Sequence, residues 1–229
     1  MQKKPLILAL LAGIALSGAA QATLMGRDLN GSAGSFEAYY DTDLGITWLA
    51  DANVNGRMTW AAANTWAANL SFTDGVNTYD NWRLPTVTDT GTSGCNFADT
   101  GTDCGYNVDT ATGEMAHLFY DELGNKAFYD AAGAGPQTGW GLTNTGPFTN
   151  LQANYYWSAT EFAPHTGYAW LFDFDGGGQG ADFKDVGFYA LAVSPGDVGA
   201  ANGNTVPEPQ TLALVGLGLL GLAVARRRG

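Results

Sequence analysis

Apolar positions change their spacing along the chain, and the changes mark the elements. Phe36 to Tyr40 and Ile46 to Leu49 flank Asp43-Leu44-Gly45, a turn sequence, and predict a β-hairpin. Thr59 can cap a helix whose Trp60, Ala63, Trp66, Ala67 and Leu70 fall on one face. Trp82 and Leu84 predict a short strand stopped by Pro85. A second helix is predicted from near Gly113 to Leu123, burying Met115, Leu118 and Phe119, with Gly124 after its end. Alternation and aromatic residues then predict strands over 155–160, 168–174, 181–184 and 188–193. The sum is an α+β domain over residues 23–194, with two short helices against an antiparallel sheet.

Both ends follow a different pattern. Lys3 and Lys4 precede an apolar stretch from Leu6 to Leu16, and Ala20-Gln21-Ala22 supplies a small-x-small cleavage site. Residues 1–22 therefore read as a signal peptide for the Sec export machinery, with Thr23 as the first mature residue; an uncleaved anchor is the alternative. Small and polar residues over 195–205 predict a flexible linker. Beyond it, Pro207-Glu208-Pro209 precedes a short apolar helix over 211–225 and then Arg226-Arg227-Arg228. Fifteen helical residues reach about 22 Å, short of a hydrocarbon core of about 30 Å. The arginines keep that end cytoplasmic, so the domain before it lies outside the inner membrane.

Composition narrows the function. The chain has a formal net charge of −12. Removing both ends leaves 5 basic and 21 acidic side chains, a charge near −16. No basic face is available for nucleic acid. Charged residues are only 14%, and 32 glycines point to a domain rich in turns rather than a helical bundle.

Two segments carry resemblances. Pro207-Glu208-Pro209, the short Leu/Gly/Ala helix and the terminal arginines, in that order, resemble a PEP-CTERM sorting signal over 206–229. The resemblance implies cleavage by an exosortase in a Gram-negative bacterium. It also implies transient anchoring in the inner membrane facing the periplasm, and then a place at the cell surface or in extracellular, polysaccharide-rich biofilm matrix. In the domain, Tyr40-Asp41-Thr42, Gly45-Ile46-Thr47-Trp48-Leu49, Asn81-Trp82-Arg83-Leu84-Pro85-Thr86 and Tyr156-Trp157-Ser158 resemble the DUF1566 family, also called the Lcl C-terminal domain. That resemblance implies a C-type-lectin-like fold, related in outline to the formylglycine-generating enzymes. It makes a lectin-like binding module the leading reading. An enzyme on the same fold acting on envelope polysaccharide, or a purely structural matrix protein, are the alternatives.

The candidate chemistry is sparse. Tyr155, Tyr156, Trp157, Phe162, Tyr168 and Trp170 crowd into sixteen residues. Strand alternation sends half of them to the core, and the others, with Phe162, can form an exposed platform. Aromatic faces suit the apolar side of a sugar ring, and carboxylates accept its hydroxyls. Trp157, Glu161, Phe162, His165, Tyr168, Trp170, Asp173 and Asp175 are the ligand-binding candidates. The negative field disfavours sulfated glycans and leaves neutral polysaccharide, cations or a basic matrix protein. Asp173-Phe174-Asp175-Gly176-Gly177-Gly178 offers either a Ca²⁺ loop or a glycine-rich hairpin turn. Glu114, His117 and Asp121 share a helical face, which reads as a solvated face or as metal ligands. Cys95 and Cys104, the two cysteines of an exported chain, predict a disulfide. No nucleophile–base or phosphate-loop motif is present, so no catalytic residue, metal ligand or cofactor is assigned.

Overall fold

The computed structural model describes residues 24–32, 34–91 and 103–199. Ala20 and Ala22 of the expected signal peptide, Cys95, Pro207, Glu208, Pro209 and the arginine cluster lie outside the described residues. Strands β1 (Leu24–Arg27), β2 (Ala38–Asp41) and β3 (Ile46–Leu49) come first. The predicted hairpin is β2–β3. Its turn is held by Asp41, whose Oδ1 accepts the N–H groups of Asp43 and Leu44 at 3.0 and 2.9 Å. Gly45 supplies the left-handed residue, φ 64°.

Helix α1 (Trp60–Ala68) begins where Thr59 Oγ1 accepts the Ala62 N–H. Ala63 and Ala67 are buried, and Trp60, Trp66 and Leu70 pack against the core. A small hairpin, β4 (Phe72–Thr73) and β5 (Thr78–Tyr79), follows and was not anticipated. Asp74 organises its turn by accepting the N–H groups of Val76 and Asn77.

After β6 (Gly105–Tyr106) and a 3₁₀ turn, α2 (Glu114–His117) continues into a π-helical turn, Leu118–Glu122. The predicted helix is present, its second half wound more widely than the regular period assumes. Four more strands follow among the described residues: β7 (Tyr155–Glu161), β8 (Tyr168–Asp173), β9 (Gly178–Phe183) and β10 (Val193–Pro195). They build two four-stranded antiparallel sheets, in the orders β1-β2-β3-β10 and β6-β9-β8-β7.

Three expectations change. Trp82 and Leu84 are buried, but their segment makes only a single bridge, Arg83 to Val193, rather than a strand. The 188–193 segment pairs residue by residue with different partners, Phe188 with Met58 and Tyr189 with Tyr156, before joining β3 at Val193. The expected linker is docked at its start. The Gly196 N–H donates to Gly45, Asp197 pairs with Arg27, and Val198 packs against the core. Among the described residues no helix is long and apolar enough to cross a membrane; the 211–225 segment is not among them.

Tryptophan and phenylalanine fill the core: Trp48, Trp157, Trp170, Phe119, Phe172 and Phe174 are fully buried. Buried indoles need acceptors. Trp48 Nε1 donates to Asp41, Trp157 Nε1 to the Met58 carbonyl and Trp170 Nε1 to Asp89.

Candidate binding groove

The β6-β9-β8-β7 sheet carries an open groove of about 480 Å³. Register explains its lining. Tyr155 stands opposite Asp173, Asp173 opposite Gly178, and Leu171 opposite Gly180. These positions share one face of the sheet, whereas Tyr156, Phe172 and Gln179 point to the core and are buried. Glycines at 178 and 180 leave the floor without side chains, and Tyr106 closes one side from β6. Tyr168 lies at the rim with its ring 4.2 Å from that of Phe183.

The predicted candidates divide into three groups. Phe162, Tyr168 and Asp173 line the groove. Glu161, His165 and Asp175 are exposed but do not. Glu161 pairs with Lys184, His165 packs edge-on to Tyr168 at 4.5 Å, and the Asp175 N–H donates to Asp173 in the turn between β8 and β9. Trp157 and Trp170 are the corrections. Both rings are fully buried, Trp157 against Phe188 at 4.8 Å and Trp170 in a cluster with Val87 and Cys104. Neither indole can receive a sugar. Alternation puts Trp157 on the same strand face as Tyr155, and the Phe188 segment, bridged to Met58, covers that end of it.

Tyr106 and Asp182 complete the lining and were not foreseen. Tyr155 belonged to the aromatic run without being singled out. The signal for Asp182 is its place in β9, across from Ala169; nothing in the sequence places the short β6 strand beside β9. Burial raises the Asp173 carboxyl against the pull of its backbone donors. The Asp173 charge, then burial, pushes up the Tyr155 phenol, and burial followed by Asp173 pushes up that of Tyr106. The groove thus combines neutral phenol donors, aromatic faces and carboxylate acceptors.

The Asp173 to Gly178 segment is a hairpin turn. Gly177, φ 74°, lies where a Cβ would stand 2.9 Å from Ala127 and Phe119. The expected solvated face of α2 is largely enclosed. Glu114 makes a bidentate pair with Arg83 at 2.7 Å and accepts the Thr86 N–H. His117 is buried beside Asp41 and Glu122, and only Asp121 is substantially exposed. Among the described residues no hydrogen bond or ion pair joins Glu114 or His117 to Glu161 or His165. A second groove of about 460 Å³ runs between Phe36, Tyr39, Val54 and Phe72; no predicted candidate lines it.

The family model for the Lcl C-terminal domain matches residues 37–194. The chain belongs to the Lcl C-terminal domain family. In this Lcl domain the matched span takes in β2 through β9, and so the groove on β6-β9-β8-β7 and the whole aromatic sheet face. A PEP-CTERM protein-sorting motif matches residues 205–228 and implies an exported protein processed by an exosortase, with transient membrane anchoring. No curated protein and no solved structure matches the chain.

Proposed function

We propose that this exported Lcl domain is a non-enzymatic, lectin-like module that binds neutral polysaccharide of the biofilm matrix through the groove on β6-β9-β8-β7. The observation that carries the reading is the groove itself. Tyr155, Tyr168 and Phe162 offer ring faces beside the acceptors Asp173 and Asp182, over a floor of glycine. A charge near −16 on the exported part disfavours sulfated and uronate-rich glycans by repulsion and favours neutral ones, with a basic matrix protein as the other partner of suitable charge. The C-type-lectin-like fold, the surface or matrix destination and a Cys95–Cys104 disulfide belong to the same reading. Cys104 is buried beside Trp170, and no free cysteine is found among the described residues. A glycan array probed with the exported protein tests the reading. Retention on neutral glycans, without cleavage and with sulfated ones passed over, is the expected result, and Tyr155→Ala removes it. Binding confined to sulfated glycans, hydrolysis of a bound glycan, or no retention at all overturns it.

A further inference from the structure

We propose that Asp41, His117 and Glu122 form a buried site for one divalent transition-metal ion of the zinc class, joining the β2–β3 turn to the π-helical turn. One donor atom from each lies within 4.8 Å of the others. His117 Nε2 is 3.4 Å from Glu122 Oε1 and 3.8 Å from Asp41 Oδ2. Neither contact is a good hydrogen bond, being too long. Nε2 and Oε1 are closed to solvent and have no hydrogen-bond partner. Orphaned donors and acceptors in a closed site are costly, and native structures rarely keep them without a reason.

The geometry suits a metal. Tetrahedral bonds of about 2.0–2.1 Å place neighbouring ligand atoms about 3.3 Å apart. The histidine edges, at 3.4 and 3.8 Å, close to this spacing by at most about half an ångström, while the edge between the two carboxylates, within 4.8 Å, takes the larger adjustment as the ion draws them in. A nitrogen donor in a set of three fits zinc rather than Ca²⁺, which gathers about six to eight oxygens. The outer contacts are also those of a metal site. His117 Nδ1 lies 3.1 Å from Asp121 Oδ2, which favours the proton on Nδ1 and leaves the Nε2 lone pair facing the carboxylates. Asp41 is fixed by the N–H groups of Asp43 and Leu44 and by Trp48 Nε1.

The π-helical turn makes this possible. On a regular α-helix, residues five apart lie about 140° apart around the axis. The wider turn over Leu118–Glu122 brings the Glu122 carboxylate round to His117. Two carboxylates in an enclosed space repel, and burial followed by the Asp41 charge pushes the Glu122 carboxyl up to about 7. A bound dication removes that repulsion and gives each orphaned atom a partner.

The test uses the exported full chain, stripped with chelator and titrated with Zn²⁺ at neutral pH, with Co²⁺ as the spectroscopic probe. One equivalent of Zn²⁺ should bind and raise the Tm, and Co²⁺ should give a spectrum of nitrogen and oxygen ligation without thiolate bands. His117→Gln should lose at least about 100-fold in affinity. Asp121→Asn, at a side chain 45% exposed that tolerates replacement, should lose about 10- to 100-fold, the usual effect of removing a histidine's orienting carboxylate. If His117→Gln fails to fold, the Asp121→Asn affinity and the Co²⁺ spectrum decide. No stoichiometric Zn²⁺ binding, unchanged affinity in Asp121→Asn, thiolate bands, or loss of binding in His165→Ala overturns the site.

Discussion

Asp89 accepts the indole N–H of Trp170 at 2.8 Å, together with the backbone N–H groups of Ala163 and Gly91. It thereby ties the strand carrying the groove's rim to the 87–91 segment. Burial works against its charge, but the three donors outweigh burial and hold the carboxyl below its usual 3.8. A carboxyl lowered in the folded state contributes stability above the ordinary aspartate range, and that contribution is lost as pH falls below about 4. Asp89→Ala leaves a buried indole without an acceptor and should cost about 1–3 kcal/mol. Urea denaturation should show this deficit at pH 7 and show it narrowing as the pH falls towards 3, because only the wild type has the carboxylate to lose. An equal deficit at both pH values would mean that packing, not charge, sets the effect.

At the scale of elements, the β8–β9 hairpin depends on Gly177. Its φ of 74° is left-handed, and a Cβ there would meet the Ala127 backbone and the Phe119 ring at 2.9 Å. Gly177→Ala should destabilise by more than about 2 kcal/mol, since the left-handed conformation alone costs about 1–2 and the clash adds to it. Thermal melting checks this, and a variant as stable as the wild type would contradict it. Legibility also divides by element. The β2–β3 hairpin, α1 and β7 to β9 were readable because turn residues, a cap and alternation act locally. Short β6 and the β4–β5 hairpin were not, because strands of two residues carry no periodicity. The face of α2 was misjudged for a different reason. Its spacing was read with the α-helical period, whereas the π-helical turn changes which residues face His117. Asp41, 76 positions before His117 in the chain, carries no local sign that it joins the cluster. In the groove, alternation places Trp157 on one strand face with Tyr155, but its covering by Phe188 depends on a remote segment.

For the whole molecule, address and binding make separate predictions. The PEP-CTERM motif over residues 205–228 predicts that protein recovered from its host lacks the apolar segment from Thr211 onwards, which intact-mass analysis reads directly. The full tail on mature protein in a host with an exosortase would contradict processing. Non-reducing peptide mapping of the same sample should join Cys95 to Cys104; two free thiols would remove the disulfide. The proposed binding rests on the glycine floor. Gly180 lies in β9 with open space where a Cβ would stand, and its backbone is not left-handed. A β-branched side chain suits a strand, so Gly180→Val should fold with little change in Tm while filling the groove. The most direct measurement is therefore equilibrium binding of neutral matrix polysaccharide to wild type and Gly180→Val, with Tm measured on both. The groove predicts a loss of at least about 2 kcal/mol, roughly 30-fold in Kd, at unchanged stability. Equal affinity for the two proteins would show that the sugar binds elsewhere.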